Sequence, residues 1–202
     1  VDRFLVGAEA YRIPVVLVYN KIDLLDAEKD QKELSRWKEV YDLAGYNQLE
    51  ISAEKKIGLD VLKDRMKDKT SIVSGHSGVG KSTLINQLDS RLNLKVNSIS
   101  SAHQSGRHTT TFAEMFDMSF GATIIDTPGI KGFGNVELEK EHLSHYFPEM
   151  RKHLNDCKFN NCVHINEPNC AVKIAVEEGK IAKSRYLNYL SMYEEDEAEN
   201  YR

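Results

Sequence analysis

Apolar positions in this chain change period several times, and each change marks an element. Val1 to Ala10 places apolar residues at helical spacing. Pro14 then introduces Val15-Val16-Leu17-Val18-Tyr19, an unbroken apolar run expected to form a buried parallel strand. Leu34 to Leu43, containing Trp37, continues a helix, and Leu59 to Met66 forms a short one. Ser71-Ile72-Val73-Ser74 reads as a strand feeding the first turns of a helix at Thr83-Leu84-Ile85-Asn86-Gln87-Leu88. Thr110 to Phe120 alternates as a strand hairpinned through Gly121 to Ala122-Thr123-Ile124-Ile125. From Val136 the pattern is helical, punctuated by Pro148, so the domain boundary is expected near Asn135. Alternating strands and helices predict an α/β fold with a mainly parallel sheet flanked by helices. Trp37, the helix Met and Leu residues, Phe112, Phe116 and Phe120 are expected in the core.

Composition narrows the class. The chain's 202 residues suffice for one main core and a small appendage. A formal net charge of −4 lacks the global basic excess of a dedicated nucleic-acid binder. No apolar run approaches the roughly 20 residues needed to span a bilayer, and no signal peptide is visible. A cytoplasmic protein without membrane contact is therefore expected, a setting that argues against disulfides. The low-complexity part is confined to Glu194 to Glu199.

The chemistry lies in the loops between these elements. Gly75-His76-Ser77-Gly78-Val79-Gly80-Lys81-Ser82, with Thr83 following, fits G-x-x-x-x-G-K-[ST] between a strand and a helix. Backbone N–H groups and the helix dipole there can hold phosphate. Lys81 is suited to the β- and γ-phosphates and the Ser82 hydroxyl to Mg²⁺. Asn20-Lys21-Ile22-Asp23 ends the run at Tyr19 and has the form of a guanine signature. The Asp23 carboxylate would read the N1–H and exocyclic N–H₂ of guanine, a donor pair that adenine cannot offer, while Lys21 lies over the base and Asn20 braces the loops. Ser52 and Ala53 follow at the distance of a loop that touches the base. Asp126-Thr127-Pro128-Gly129 matches D-x-x-G, with Asp126 reaching Mg²⁺ through water and the Gly129 N–H contacting the γ-phosphate. Gly106-Arg107-His108-Thr109-Thr110-Thr111 sits where a first switch loop belongs; Thr110, or alternatively Thr109, would complete Mg²⁺ coordination.

The order is unusual, because the guanine signature and Ser-Ala loop precede the phosphate loop, threonine switch and D-x-x-G. That order resembles the circularly permuted ribosome-associated GTPases. All three cysteines then fall in Cys157-x4-Cys162-x-His164-x5-Cys170. With this pattern the whole chain resembles the small ribosomal subunit biogenesis GTPase family (RsgA, also called YjeQ). The resemblance implies a circularly permuted P-loop GTPase domain over residues 1–135 and a small, mostly helical zinc-binding domain over 136–202. Three thiolates and one imidazole suit a closed, tetrahedral structural Zn²⁺ site. His164 fits the family pattern and His153 is the alternative ligand. The segment, rich in Asn and Pro, has little core of its own and would be held together by metal.

The implied cofactors are GTP or GDP, Mg²⁺ and one Zn²⁺. The implied partners are the small ribosomal subunit and its rRNA, with other assembly factors, and the implied state is a monomer. The family also carries an N-terminal OB-fold barrel and a sheet strand upstream of this point, so a chain starting at Val1 inside a helix is expected to be a fragment. Catalysis departs from the Ras pattern, in which a water-orienting glutamine follows D-x-x-G; here the position is Ile130. His108 in the threonine switch is the candidate, against a reading as a solvated loop histidine, and the resemblance favours catalysis. Low intrinsic turnover, stimulated by the small subunit, is implied. For RNA contact, Arg151, Lys152, Lys158, Lys173, Lys180, Lys183 and Arg185 interleave with Tyr186 and Tyr189, a mix that assigns such contact to the zinc region as a whole and to no single residue, with a solvated helix face as the alternative. Two rival readings stand beside this one. A zinc-stabilised RNA-binding module with a non-catalytic nucleotide domain is disfavoured by intact Lys81, Ser82, Asp126 and Asp23. A GTPase of large-subunit assembly is disfavoured by the C-terminal zinc pattern.

Overall fold

The computed structural model describes residues 1–92, 114–126 and 139–199. Helix α1 (Asp2–Ala10) leads into β1 (Val16–Tyr19), a 3-10 turn at Ile22–Leu24, α2 (Glu28–Ala44) and β2 (Asn47–Glu50). Helix α3 (Leu59–Met66), β3 (Thr70–Ile72) and α4 (Lys81–Leu88) follow, then β4 (Glu114–Asp117) and β5 (Thr123–Asp126). The C-terminal part comprises α5 (Pro148–Arg151), α6 (Ala171–Glu177) and α7 (Lys183–Glu199), with 3-10 turns at Lys140–Tyr146 and Leu154–Asp156. Pro148 occupies the first turn of α5, where its missing N–H costs nothing. Gly58 starts α3 at φ 74°, and a Cβ there would lie 2.7 Å from the Glu50 carbonyl oxygen. Only glycine fits that start.

The described strands form two sheets, and the hairpin expected through Gly121 is present. β1 pairs with β2, and a second sheet has the order β3-β5-β4. β3 runs parallel to β5, whereas β4 is antiparallel to it because the Met118–Ala122 turn closes a hairpin. β1 is half-buried along its length, not fully buried. Trp37 is also corrected: it is 45% exposed, stacked at 6.2 Å on Tyr41, which takes the core position one helical turn later. Phe116 and Phe120 are half-buried, and Phe112 lies outside the described residues.

By contacts the chain forms two compact units. In one, the described residues of Val18–Glu28 and Leu49–Lys131 enclose a core that includes Ile51, Leu62, Leu84, Ile85, Leu88 and Ile124. At its edge the Asp89 carboxylate, just past α4, accepts from Arg91 Nε and Nη2 and from the Ser119 N–H at 2.6 Å in the β4–β5 turn. The Arg91 hydrogen bonds hold the Asp89 carboxyl well below the usual carboxylate range. The resulting stability is fully present above about pH 4, the unfolded value, and is lost as pH falls through the depressed native value. Asp89→Asn is thus expected to be less stable than the parent at neutral pH. Urea unfolding at pH 7, 4 and 2 should show that gap closing at the acid end.

The other unit joins Val1–Leu17 and Lys29–Gln48 to the described residues from 139 onward. Leu5, Tyr41, Ala44 and Tyr46 form one cluster, and Phe147, Met150, Val172, Ile181 and Tyr189 belong to a second. Between hydrophobic residues lies a charged network. Arg185 donates from Nε and Nη2 to the two Glu149 oxygens at 2.7 and 3.1 Å and from Nη1 to Asp2 at 2.8 Å. Asp2 also accepts from Tyr41 and Asn188. Burial opposes the Arg185 charge, but Glu149 and Asp2 outweigh it and raise its pKa. Arg185 and Tyr189 are each 1% exposed and therefore leave the set of residues expected to face RNA.

Candidate nucleotide site and metal centre

Parallel pairing of Ile72 with Ile125 brings the carboxyl ends of β3 and β5 to one sheet edge. The phosphate-type loop leaves β3 there, and Asp126 ends β5 beside it, the edge at which open α/β sheets bind ligands. Ser77 is exposed, Thr83 half-buried and Ser82 buried in the first turn of α4. The Lys81 ammonium donates to the carbonyls of Gly75 at 2.5 Å and His76 at 2.8 Å, folding its side chain over the loop.

Asn20 ties this loop to the other two motifs. Its Nδ2 donates to the Val79 carbonyl at 2.9 Å, and its Oδ1 accepts from the Ala53 N–H at 3.0 Å. Lys21, in the left-handed region at φ 70°, donates to the Gly78 carbonyl at 2.7 Å, a contact that the motif alone did not announce. Gly80, at φ 93°, passes so close that a Cβ would lie 2.5 Å from Asn20 Nδ2. Backbone bonds from Ile51 N–H to Tyr19 and from Ile22 N–H to Ile51 fix the Ser52 loop beside the signature. Ser52 itself is buried, and its Oγ accepts from the Lys55 N–H.

Asp23 Oδ1 is buried and has no hydrogen-bond partner among the described residues. A buried acceptor without a donor is costly, so this atom suits a ligand bearing N–H groups, as guanine does. The sequence-predicted residues Asn20, Lys21, Ala53, Val79 and Gly80 are thus brought together, with Asp23 in the same signature. His108, Thr109, Thr110 and Gly129 lie outside the described residues, and Asp126 is placed by its backbone alone.

Cys157, Cys162, His164 and Cys170 converge, with their potential ligand atoms all within 4.8 Å of one another. His164 Nδ1 lies 3.3 Å from Cys170 Sγ and 3.6 Å from Cys157 Sγ, and those two sulfurs are 4.0 Å apart. Bonds of about 2.0–2.3 Å to a tetrahedral Zn²⁺ require edges of roughly 3.5–3.8 Å, so the donor set fits. His153 contributes only its carbonyl to this cluster, as acceptor for the Cys157 thiol, and the imidazole that lies among the three sulfurs is that of His164. Burial lowers the His164 pKa and favours the neutral ring a metal needs. Burial also pushes the Cys162 thiol up to about 12 and raises Cys170, so a bound cation would be needed to hold them as thiolates.

Residues 1–136 match the family model described as RsgA GTPase. A protein of Christiangramia forsetii named small ribosomal subunit biogenesis GTPase RsgA is 54% identical over the whole chain, which covers 64% of that relative. The Flavobacterium psychrophilum protein of the same name is 53% identical, again over the whole chain and 61% of the relative. The chain thus spans less than two thirds of the length of these proteins. Among solved structures, YjeQ from Thermotoga maritima superposes with a TM-score of 0.79 at 39% identity, covering 96% of this chain and 64% of that one. YloQ, described as a circularly permuted GTPase, gives 0.77 at 30% identity, over 98% of this chain and 62% of its own. The fold is that of a circularly permuted GTPase with a Cys₃His cluster near its C-terminus. Among the described residues, no helix is long and apolar enough to cross a membrane.

Proposed function

The chain belongs to the RsgA GTPase family, and we propose that it binds GTP, hydrolyses it to GDP and phosphate, and couples this to late maturation of the small ribosomal subunit. Subunit and rRNA would be bound in the GTP state and released after hydrolysis by a cytoplasmic monomer. The observation that carries this reading is the binding frame itself. Asn20 bridges the phosphate loop and the Ala53 loop, while Asp23 holds a buried, unpartnered oxygen. The names of the relatives supply the ribosomal context.

In this reading the loop from Gly75 to Thr83 cradles the phosphates and Lys81 exchanges its carbonyl partners for them. Ser82 and Thr110 hold Mg²⁺, Asp126 supports it through water, and the Gly129 N–H contacts the γ-phosphate. His108 positions the attacking water. Cys157, Cys162, His164 and Cys170 hold Zn²⁺, which organises the segment between them and takes no part in the reaction. GTP turnover measured with and without purified small subunits tests the whole: stimulation is expected, and indifference to the subunit would remove the ribosomal part.

The base reading has its own test. Guanine offers two donors to a carboxylate, and asparagine can accept only one of them. Losing one charge-assisted bond of about 1.5–3 kcal/mol should weaken GTP binding of Asp23→Asn by roughly 10- to 150-fold. Xanthosine triphosphate, which presents an acceptor in place of the amino group, should bind the variant better than the parent. Titration of both nucleotides decides it; unchanged GTP affinity would take Asp23 out of the site.

A further inference from the structure

Taking the zinc reading above as its premise, we infer that His164 ligates the metal through Nδ1 and that Glu167, with Tyr186 and Tyr189, fixes it in that orientation. The ring nitrogen facing the sulfurs is Nδ1, 3.3 Å from Cys170 Sγ and 3.6 Å from Cys157 Sγ. Nε2 points elsewhere, buried and without a partner among the described residues. Nδ1 is the ring nitrogen nearer the main chain. Ligation through it gives the metal a short lever, so the position of the His164 backbone sets the position of the donor atom.

That backbone is held with unusual completeness. His164 adopts φ 60°, a left-handed conformation that is strained for a residue with a Cβ. Glu167 Oε1 accepts from the Val163 N–H at 2.7 Å and Oε2 from the Ile165 N–H at 2.9 Å, gripping the amides on either side. From α7, the Tyr189 hydroxyl donates to the Val163 carbonyl at 2.6 Å and the Tyr186 hydroxyl to the His164 carbonyl at 2.7 Å. Four hydrogen bonds from three side chains therefore converge on a three-residue turn whose central member is the imidazole ligand. Glu167 touches no ligand atom. It is a positioning residue, acting through the turn in the way that supporting hydrogen bonds orient metal ligands elsewhere.

Two measurements on the full chain test this. Elemental analysis first reads the premise: about one zinc per chain is expected, and a folded protein without zinc overturns the metal reading itself. With zinc bound, ¹⁵N NMR of histidine-labelled protein is expected to show His164 with a metal-bound, unprotonated Nδ1 and a protonated Nε2. The reverse pattern overturns the inference while leaving the zinc site intact. Chelator competition should then give Glu167→Ala a zinc affinity about 10- to 100-fold lower. Glu167→Gln, which keeps one acceptor oxygen for the turn, should lose less. Parental affinity in both variants overturns the role of Glu167. Should the alanine variant not fold, the glutamine variant and the parent's NMR pattern decide.

Discussion

Arg185→Met is expected to destabilise its compact unit by about 3–5 kcal/mol, the cost of leaving buried carboxylates without their counter-charge. The guanidinium is 1% exposed and Asp2 and Glu149 are 5% and 2% exposed, so water cannot replace the lost donors. Glu149 would lose both hydrogen bonds of a two-point grip, and Asp2 would keep only those from Tyr41 and Asn188. The cation also sits over the rings of Phe147 at 4.8 Å and of Tyr41 and Tyr46 at 5.7 Å. Arg185→Lys should recover little, since an ammonium restores charge but not the planar fork. Replacing all three charged groups together, as Asp2→Leu, Glu149→Leu and Arg185→Met, should recover much of the loss because no charge is then stranded. Urea unfolding of the single and triple variants checks this, and a single variant within 1 kcal/mol of the parent would refute it.

What could be read in advance follows from how local each signal is. Helices α3 and α4 and strand β5 are carried by apolar spacing within one short segment, and the zinc ligands share one stretch from Cys157 to Cys170. Arg185 and Tyr189, a basic and an aromatic residue four apart on a helix, have the spacing of a solvated stripe, yet both are buried. Arg185 is buried against Asp2, 183 positions away in the chain, and Tyr189 against Phe147 and His164, partners that no local pattern announces. Trp37 differs for a neighbouring reason: its size suggests core, but the buried face of α2 runs through Tyr41 and Ala44. In the nucleotide site the motifs assign residue types, whereas the bonds from Asn20 and Lys21 to carbonyls 59 and 57 residues away belong to the fold. Glu167, between asparagines and a proline, reads as a solvated turn acid until the amides it holds are seen.

His108→Ala is expected to leave GTP affinity nearly unchanged and to lower subunit-stimulated turnover by about 10²–10⁴-fold, the range for a positioned acid or base. The expectation follows from elimination and from place. Ile130, after D-x-x-G, cannot orient or deprotonate water, while His108 sits in the segment with Thr110. An imidazole in the neutral form near physiological pH can accept a hydrogen bond from water or polarise it. Other variants should fail differently: Lys81→Ala in phosphate binding, and Thr110→Ala in Mg²⁺ coordination and in ordering its loop. Single-turnover hydrolysis at saturating GTP and saturating small subunit, with subunit binding measured separately, distinguishes these cases. A His108 variant that binds normally and hydrolyses at the parental rate would make that histidine a solvated loop residue. Water activation would then pass to another group, of this chain or of the proposed ribosomal partner, since the Ile130 side chain cannot supply it.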